Sequence, residues 1–239
     1  MKKPVDIPQY VIRNSSENWT SRISQLAYRY NQEYQGEPFE LPAEVESMPI
    51  FREWAARKLQ SRIASPFWEM VKPKKNQHCL DIGCGVSFLI YPWWEWNAFF
   101  YGQEVSSIAC EALKSRAPQL NSKLFKGAKI GAAHQLDYEP DRFDLAIATG
   151  FSCYYPREYW SAVMAQVKRV LKPGGQFVFD VLDPESSLAE DWAILETYLG
   201  TEVFIESIAD WEQTIKDTGV KKMSSKSGGE LFQMYKVQW

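Results

Sequence analysis

From residue 19 to 34, and again from 50 to 71, apolar side chains recur at steps of three and four, as at Phe51, Trp54, Ala55, Leu59 and Ile63, which predicts helices over both stretches. Between them, Gly36-Glu37-Pro38-Phe39-Glu40-Leu41-Pro42 holds two prolines and a glycine and reads as a loop, a place for a hinge or lid boundary. After Pro73-Lys74-Lys75-Asn76 the texture changes to short apolar runs separated by helical patterns, the alternation that a parallel sheet with crossover helices produces. Strands are expected at 78–82, 98–103, 128–131, 143–149 and 176–181.

Ser106 or Ser107 caps a helix running to about residue 116, where Ala117-Pro118 stops it. Pro156 suits the first turn of a second helix, whose apolar face is Trp160, Val163, Val167 and Val170. Lys168, Arg169 and Lys172 place positive charge at its C-terminal end, and Pro173-Gly174-Gly175 then turns the chain into the fifth strand. The tail reads as a helix over 208–217 and two strands meeting at Gly228-Gly229, a dipeptide suited to a tight hairpin. These elements predict an α/β fold: a doubly wound, mostly parallel seven-stranded sheet with a C-terminal antiparallel hairpin. A helical extension or cap over 1–65 precedes the core domain, 66–239.

Composition changes this picture only at the level of partners. With 45% hydrophobic and 24% charged residues, the 239-residue chain is an ordinary globular sequence, long enough for a full α/β core. A net charge of -3 removes the broad basic field that phosphate-backbone binding needs, which argues against nucleic acid and for a small-molecule substrate. Aromatics reach 15%, including 10 Trp, and such side chains line apolar or cationic sites as readily as cores. No stretch is long enough to span a bilayer, and the two N-terminal lysines have no apolar run behind them. Cys79, Cys84, Cys110 and Cys153 form no Cys-x-x-Cys pair and have only two histidines for company, so neither a metal site nor a disulfide framework is expected. Reduced thiols in the cytoplasm are the simplest reading.

The chemistry starts at Cys79-Leu80-Asp81-Ile82-Gly83-Cys84-Gly85, an apolar strand with an acid near its end, followed by glycines at alternate positions. Glycine lets the backbone approach a ligand where any side chain would collide. In a nicotinamide-type loop the helix N-terminus receives a pyrophosphate, which an acid two residues before the first glycine repels. Asp81 therefore favours a ligand carrying positive charge. In Gly102-Gln103-Glu104-Val105-Ser106, at the end of the next strand, Glu104 falls 23 residues after Asp81, close to the spacing at which Rossmann folds hold a ribose diol.

With Leu136-Asp137-Tyr138-Glu139-Pro140-Asp141-Arg142-Phe143-Asp144 and Val170-Leu171-Lys172-Pro173-Gly174-Gly175 following in order, the stretch 74–181 resembles the class I S-adenosylmethionine-dependent methyltransferases. The resemblance implies S-adenosylmethionine as cofactor, with Asp81 near the ammonium of its methionine moiety. It implies Gly83, Cys84 and Gly85 as the loop that admits it, and Glu104 on the ribose. Ser87 stands where the family pattern has a third glycine, and Ala132 where many relatives carry an acid for the adenine amino group. Adenine would then rest on backbone groups near Ala133 and His134 and pack against Val105 or Leu136.

The fourth strand leads into Thr149-Gly150-Phe151-Ser152-Cys153-Tyr154-Tyr155-Pro156, where open α/β sheets place their ligands. Thr149 is the cofactor-side candidate there, and Ser152, Tyr154 and Tyr155 are the catalytic ones. Tyr10, Trp19, Tyr28, Tyr30 and Tyr34 give the extension an aromatic face suited to capping a sulfonium. Methyl transfer to a small-molecule nucleophile is the favoured function. A non-catalytic protein keeping the fold as a binding module, and a nicotinamide oxidoreductase, stay open.

Overall fold

A computed structural model describes residues 17–116 and 123–239. The apolar runs become β1 (His78–Ile82), β2 (Phe99–Glu104), β3 (Phe125–Ile130), β4 (Phe143–Ala148) and β5 (Leu171–Leu182), and the C-terminal hairpin adds β6 (Lys222–Gly228) and β7 (Phe232–Gln238). All seven form one sheet in the order β3-β2-β1-β4-β5-β7-β6. β7 is antiparallel to β5 and β6, and the other pairings are parallel. Strand order reverses between β1 and β4, so the C-terminal ends of these two strands border the crevice where such sheets bind ligands.

Around the sheet lie α1 (Glu17–Gln35), α2 (Ala43–Ser47), α3 (Pro49–Ala55), α4 (Leu59–Ile63), α5 (Ser107–Arg116), α6 (Arg157–Val170), α7 (Ala189–Tyr198) and α8 (Ile208–Asp217). Because neighbouring side chains of a strand point to opposite faces, the central strands feed two cores. Leu80, Ile82, Ala146, Phe177 and Phe179 pack with Trp160, Val163 and Val167 of α6 and with Ile23 and Leu26 of α1. Cys79, Phe100, Leu145, Ile147 and Val178 pack on the other face with Phe67, Phe88, Trp96 and Leu113.

The helix expected over 50–71 is broken into three pieces. Arg57 takes a positive φ of 57° just beyond α3, and Pro66 follows α4 and precedes a single 3-10 turn, Phe67–Glu69. β3 begins at Phe125, earlier than expected, and its register against β2 shifts between Phe100 and Gly102. β5 begins at Leu171, so Pro173-Gly174-Gly175 is a bulge inside the strand and not a turn before it. Phe143 pairs with Leu171 but Leu145 with Gln176, and Gly174 absorbs the extra residues at φ 80°. Ser106 is the cap of α5, its Oγ accepting from the Ala109 N–H at 3.0 Å. Pro156 caps α6 from just outside the helix. The expected stop at Ala117-Pro118, and Tyr10, lie outside the described residues.

Candidate cofactor and acceptor site

Two carboxylates sit at the ends of adjacent strands. Asp81 is 2% exposed, and its Oδ2 accepts hydrogen bonds from Ser87 Oγ at 3.0 Å and from the Tyr91 hydroxyl. Burial pushes its pKa up to about 7, against the pull of those two donors. Ser87, the departure from a third glycine, thus fastens the loop, since its hydroxyl also lies 2.6 Å from the Cys84 carbonyl.

Glu104 is 6% exposed, with Oε2 accepting from the Gly85 N–H at 2.7 Å and Oε1 from the Ser106 N–H at 2.8 Å. Burial raises its pKa and the Ser106 and Gly85 donors oppose the rise. Each oxygen still has a lone pair, so the carboxylate remains able to accept from a ribose diol.

The glycine loop has the left-handed backbone its residues allow, with φ 67° at Gly83 and 46° at Gly85. A Cβ on Gly83 would come within 2.7 Å of the Phe151 ring, and one on Gly85 would collide with the Tyr34 hydroxyl. The close approach that glycine permits is used here by two aromatic side chains of the protein itself. Cys84 turns its side chain into the second core, and burial pushes its thiol well up, so only its backbone remains a candidate contact.

Gln103, unforeseen from the sequence, organises the next segment: its Nε2 donates to the carbonyls of Ala132 at 2.7 Å and Gln135 at 3.0 Å. Ala132 and Ala133 are buried, Val105 is half-buried, and Thr149 lies half-buried just past β4. His134 is buried among aromatic rings, with Trp19 and Tyr159 centroids at 5.3 and 5.1 Å. Burial lowers its pKa to about 4, leaving the ring neutral at neutral pH.

Beyond β4, both oxygens of the buried Asp180 accept from the Gly150 N–H, at 2.8 and 3.0 Å, which fixes the start of the loop. Ser152, Tyr154 and Tyr155 are all buried. Ser152 Oγ has no hydrogen-bond partner among the described residues, and Tyr155 stacks on Tyr159 at 4.0 Å. The Tyr154 hydroxyl donates to Glu196 Oε2 at 3.0 Å and accepts from the Tyr30 hydroxyl at 3.0 Å. Arg29, 3% exposed, completes the cluster with a 3.0 Å ion pair to the fully buried Glu196. Asn31 ties the same helix to the cap of α5, its Oδ1 accepting from Ser106 Oγ at 2.7 Å. Thus α1 covers the crevice through Trp19, Tyr30, Asn31 and Tyr34, while Tyr28 points outward at 40% exposure. Two surface cavities, of about 370 Å³ beside Ile194 and Tyr198 and about 320 Å³ beside Lys126 and Arg142, include neither acid.

Residues 80–179 match the methyltransferase domain family. A sterol 4-C-methyltransferase of Caenorhabditis elegans is 32% identical over 133 residues, 54% of this chain and 37% of that protein. A biotin biosynthesis bifunctional protein of Saccharophagus degradans is 27% identical over 144 residues, 59% of this chain and 25% of that protein. The chain therefore spans well under half the length of these curated relatives. Among solved structures, a geranyl diphosphate C-methyltransferase from Streptomyces coelicolor superposes with a TM-score of 0.60 at 11% identity, covering 91% of this chain and 97% of that one. An S-adenosylmethionine-dependent methyltransferase from Aquifex aeolicus gives 0.57 at 13% identity, covering 83% and 98%. Residues 80–179 thus match a methyltransferase domain, and the strand order and these superpositions show the α/β fold of such domains. No helix among the described residues is long and apolar enough to cross a membrane.

Two expectations follow from the acids. Glu104→Ala should weaken S-adenosylhomocysteine binding by ~2 kcal/mol, about thirtyfold. It should also lower apo stability, because the Gly85 and Ser106 N–H groups lose their acceptor. Calorimetry and thermal melting check the pair, and an unchanged affinity removes Glu104 from the site. Asp81 is mostly protonated below about pH 7, whereas a ligand ammonium favours the ionised form, so affinity should rise with pH. Titration at pH 6 should give an affinity roughly tenfold weaker than at pH 8, the competent fraction being about a tenth. Asp81→Asn should flatten that slope.

Proposed function

We propose that this protein transfers a methyl group from S-adenosylmethionine to a small-molecule nucleophile, in a reducing compartment such as the cytoplasm. The observation that carries the reading is the convergence of Asp81, Gly83, Gly85 and Glu104 at the switch point of the sheet. In this reading the ribose hydroxyls donate to Glu104 and the ammonium lies toward Asp81. Backbone of Gly83, Cys84 and Gly85 borders the methionine tail, while Val105, Ala133, His134 and Thr149 border the adenosyl group. Because Tyr34 of α1 rests on Gly85, α1 acts as a cap that yields to the cofactor and then excludes water.

S-adenosylmethionine, when bound, supplies an electrophilic methyl on a sulfonium. The protein's part is to hold the acceptor in line with it. Ser152, Tyr154 and Tyr155 are the acceptor-side candidates. Tyr154 is the best placed to polarise a protic group, because its own hydroxyl is fixed between Tyr30 and Glu196. The net negative charge, the aromatic surroundings and the relatives named for sterol and geranyl diphosphate methylation support a small acceptor. Four buried free thiols fit a reducing compartment.

Calorimetry should give ~micromolar or tighter binding of S-adenosylhomocysteine and no heat with NAD. With methyl-labelled S-adenosylmethionine and a cell extract, label should pass into the low-mass fraction. Comparable NAD binding, or label confined to protein or nucleic acid, would overturn the proposal.

A further inference from the structure

The net charge of -3 conceals a separation of charge, because the N-terminal ends of the strands, away from the crevice, collect cations. Lys72, Lys74 and Lys75 lie exposed on the turn before β1, with no ion pair among the described residues. Lys126, early in β3, and Arg142, just before β4, lie over the rings of Phe99 and Tyr101 at 4.8 and 4.9 Å rather than against a carboxylate. Their field reaches His78 at the start of β1. Burial lowers the pKa of that ring, and Lys172, Arg142 and Lys126 lower it further against the pull of Asp144. Glu95, Glu139 and Asp141 are the exposed acids beside these cations.

The lysine turn is fastened to an apolar projection. The Asn76 N–H donates to the Asn97 carbonyl at 2.9 Å, both residues having positive φ, 65° and 51°. Three residues before Asn97, Trp94 is 80% exposed, and Ile90 is 66% exposed, the two most exposed large apolar side chains among the described residues. Their backbone is held in place. Trp93 stacks on Phe88 and donates to its carbonyl at 2.6 Å, while Trp96 is buried against Phe67 and Phe100. Two tryptophans of the run thus enter the core and the third is held in solvent. Single exposed apolar residues are ordinary, but a fixed Trp and Ile beside unpaired lysines combine the two features of an interfacial anchor.

We infer that this end of the molecule docks on a lipid bilayer bearing anionic headgroups, with Trp94 and Ile90 entering the headgroup boundary and the lysines meeting the negative surface. Charge complementarity selects an anionic partner, and the aliphatic Ile90 favours a bilayer over a nucleic acid, whose phosphate backbone offers it no apolar phase. Surface attachment of this kind needs no spanning helix. It leaves the crevice, at the opposite ends of the strands, clear of the membrane, and it is independent of the cofactor assignment.

Co-sedimentation of the full chain with vesicles tests the inference, on phosphatidylcholine alone and on phosphatidylcholine mixed with phosphatidylserine. The mixed vesicles should bind the protein ~100-fold more tightly than the neutral ones, about fivefold for each of the three lysines, and salt should shrink the difference. Lys72→Gln, Lys74→Gln and Lys75→Gln together should remove most of that difference. Trp94→Ser with Ile90→Ser should weaken binding to mixed vesicles ~10-fold or more. All five positions are exposed, so both variants should keep the wild-type circular dichroism spectrum, and either serves alone. No sedimentation with mixed vesicles, binding that ignores their charge, or wild-type affinity in a folded variant overturns the inference. So does a duplex DNA oligonucleotide that the wild type binds and the lysine variant does not, if vesicles stay unbound.

Discussion

Gly83→Val should weaken S-adenosylhomocysteine binding by a hundredfold or more, ~3 kcal/mol, and should lower the melting temperature as well. The added branches would occupy the ligand's approach path, and they also cost the protein itself. Gly83 sits at φ 67°, a conformation that a β-branched residue adopts only under strain, and its Cβ would come within 2.7 Å of the Phe151 ring. Phe151 cannot swing freely, because it is 8% exposed and packs against Trp160 at 5.1 Å. Two costs therefore add, one from the backbone and one from the clash, together ~2–4 kcal/mol. They separate in a double variant. Adding Phe151→Ala to Gly83→Ala should remove the steric part of the cost and leave the backbone part, without restoring ligand affinity to the wild-type value. Urea titration and calorimetry on the single and double variants check this. Full stability together with normal binding in Gly83→Val would mean that the loop serves no close approach.

Arg29→Met should destabilise the ligand-free protein by ~3–5 kcal/mol, the usual consequence of stripping one partner from a buried ion pair. Burial opposes the Arg29 charge, and Glu196, with Tyr30 and Tyr154, more than offsets that opposition. Without the guanidinium, Glu196 would be left fully buried with only the Tyr154 hydroxyl as a donor. Its burial already raises its pKa, and Arg29 is the main group pulling it back. A second change, Glu196→Gln in the Arg29→Met background, should recover much of the lost stability, because no unpaired charge then remains. The pair joins α1 to α7, and Glu196 also accepts from the Tyr154 hydroxyl, so the same variant should loosen the loop that carries Tyr154. A loss below ~1 kcal/mol would indicate that the pair is solvated and that α1 is not fastened there.

By itself the sequence determined the parallel core and the glycine loop at the end of its first strand. β1 and the span of α8 follow from local spacing and from the conformational limits of glycine and proline, which act over a few residues; the hairpin expected at Gly228-Gly229 turns instead over 229–231, with Gly228 paired to Phe232. The positions of Asp81, Gly83, Gly85 and Glu104 were legible for the same reason: each sits at or just past a strand end, and strand ends follow from the apolar pattern. Tertiary structure decided what touches them. Tyr34 on Gly85, Tyr91 on Asp81 and Gln103 on Ala132 are contacts between segments whose docking no periodicity encodes. Arg29 and Glu196 are 167 residues apart, and each alone reads as a solvated helix charge. Their burial depends on how α1 lies across the sheet, a sum of many weak apolar contacts, Ile23 and Leu26 among them, rather than a motif. The bulge at Gly174 shows the same limit from the other side. Pro173-Gly174-Gly175 reads locally as a turn, yet Leu171 before it and Gln176 after it both pair with β4, so the strand starts ahead of these residues and they bulge out of the ladder.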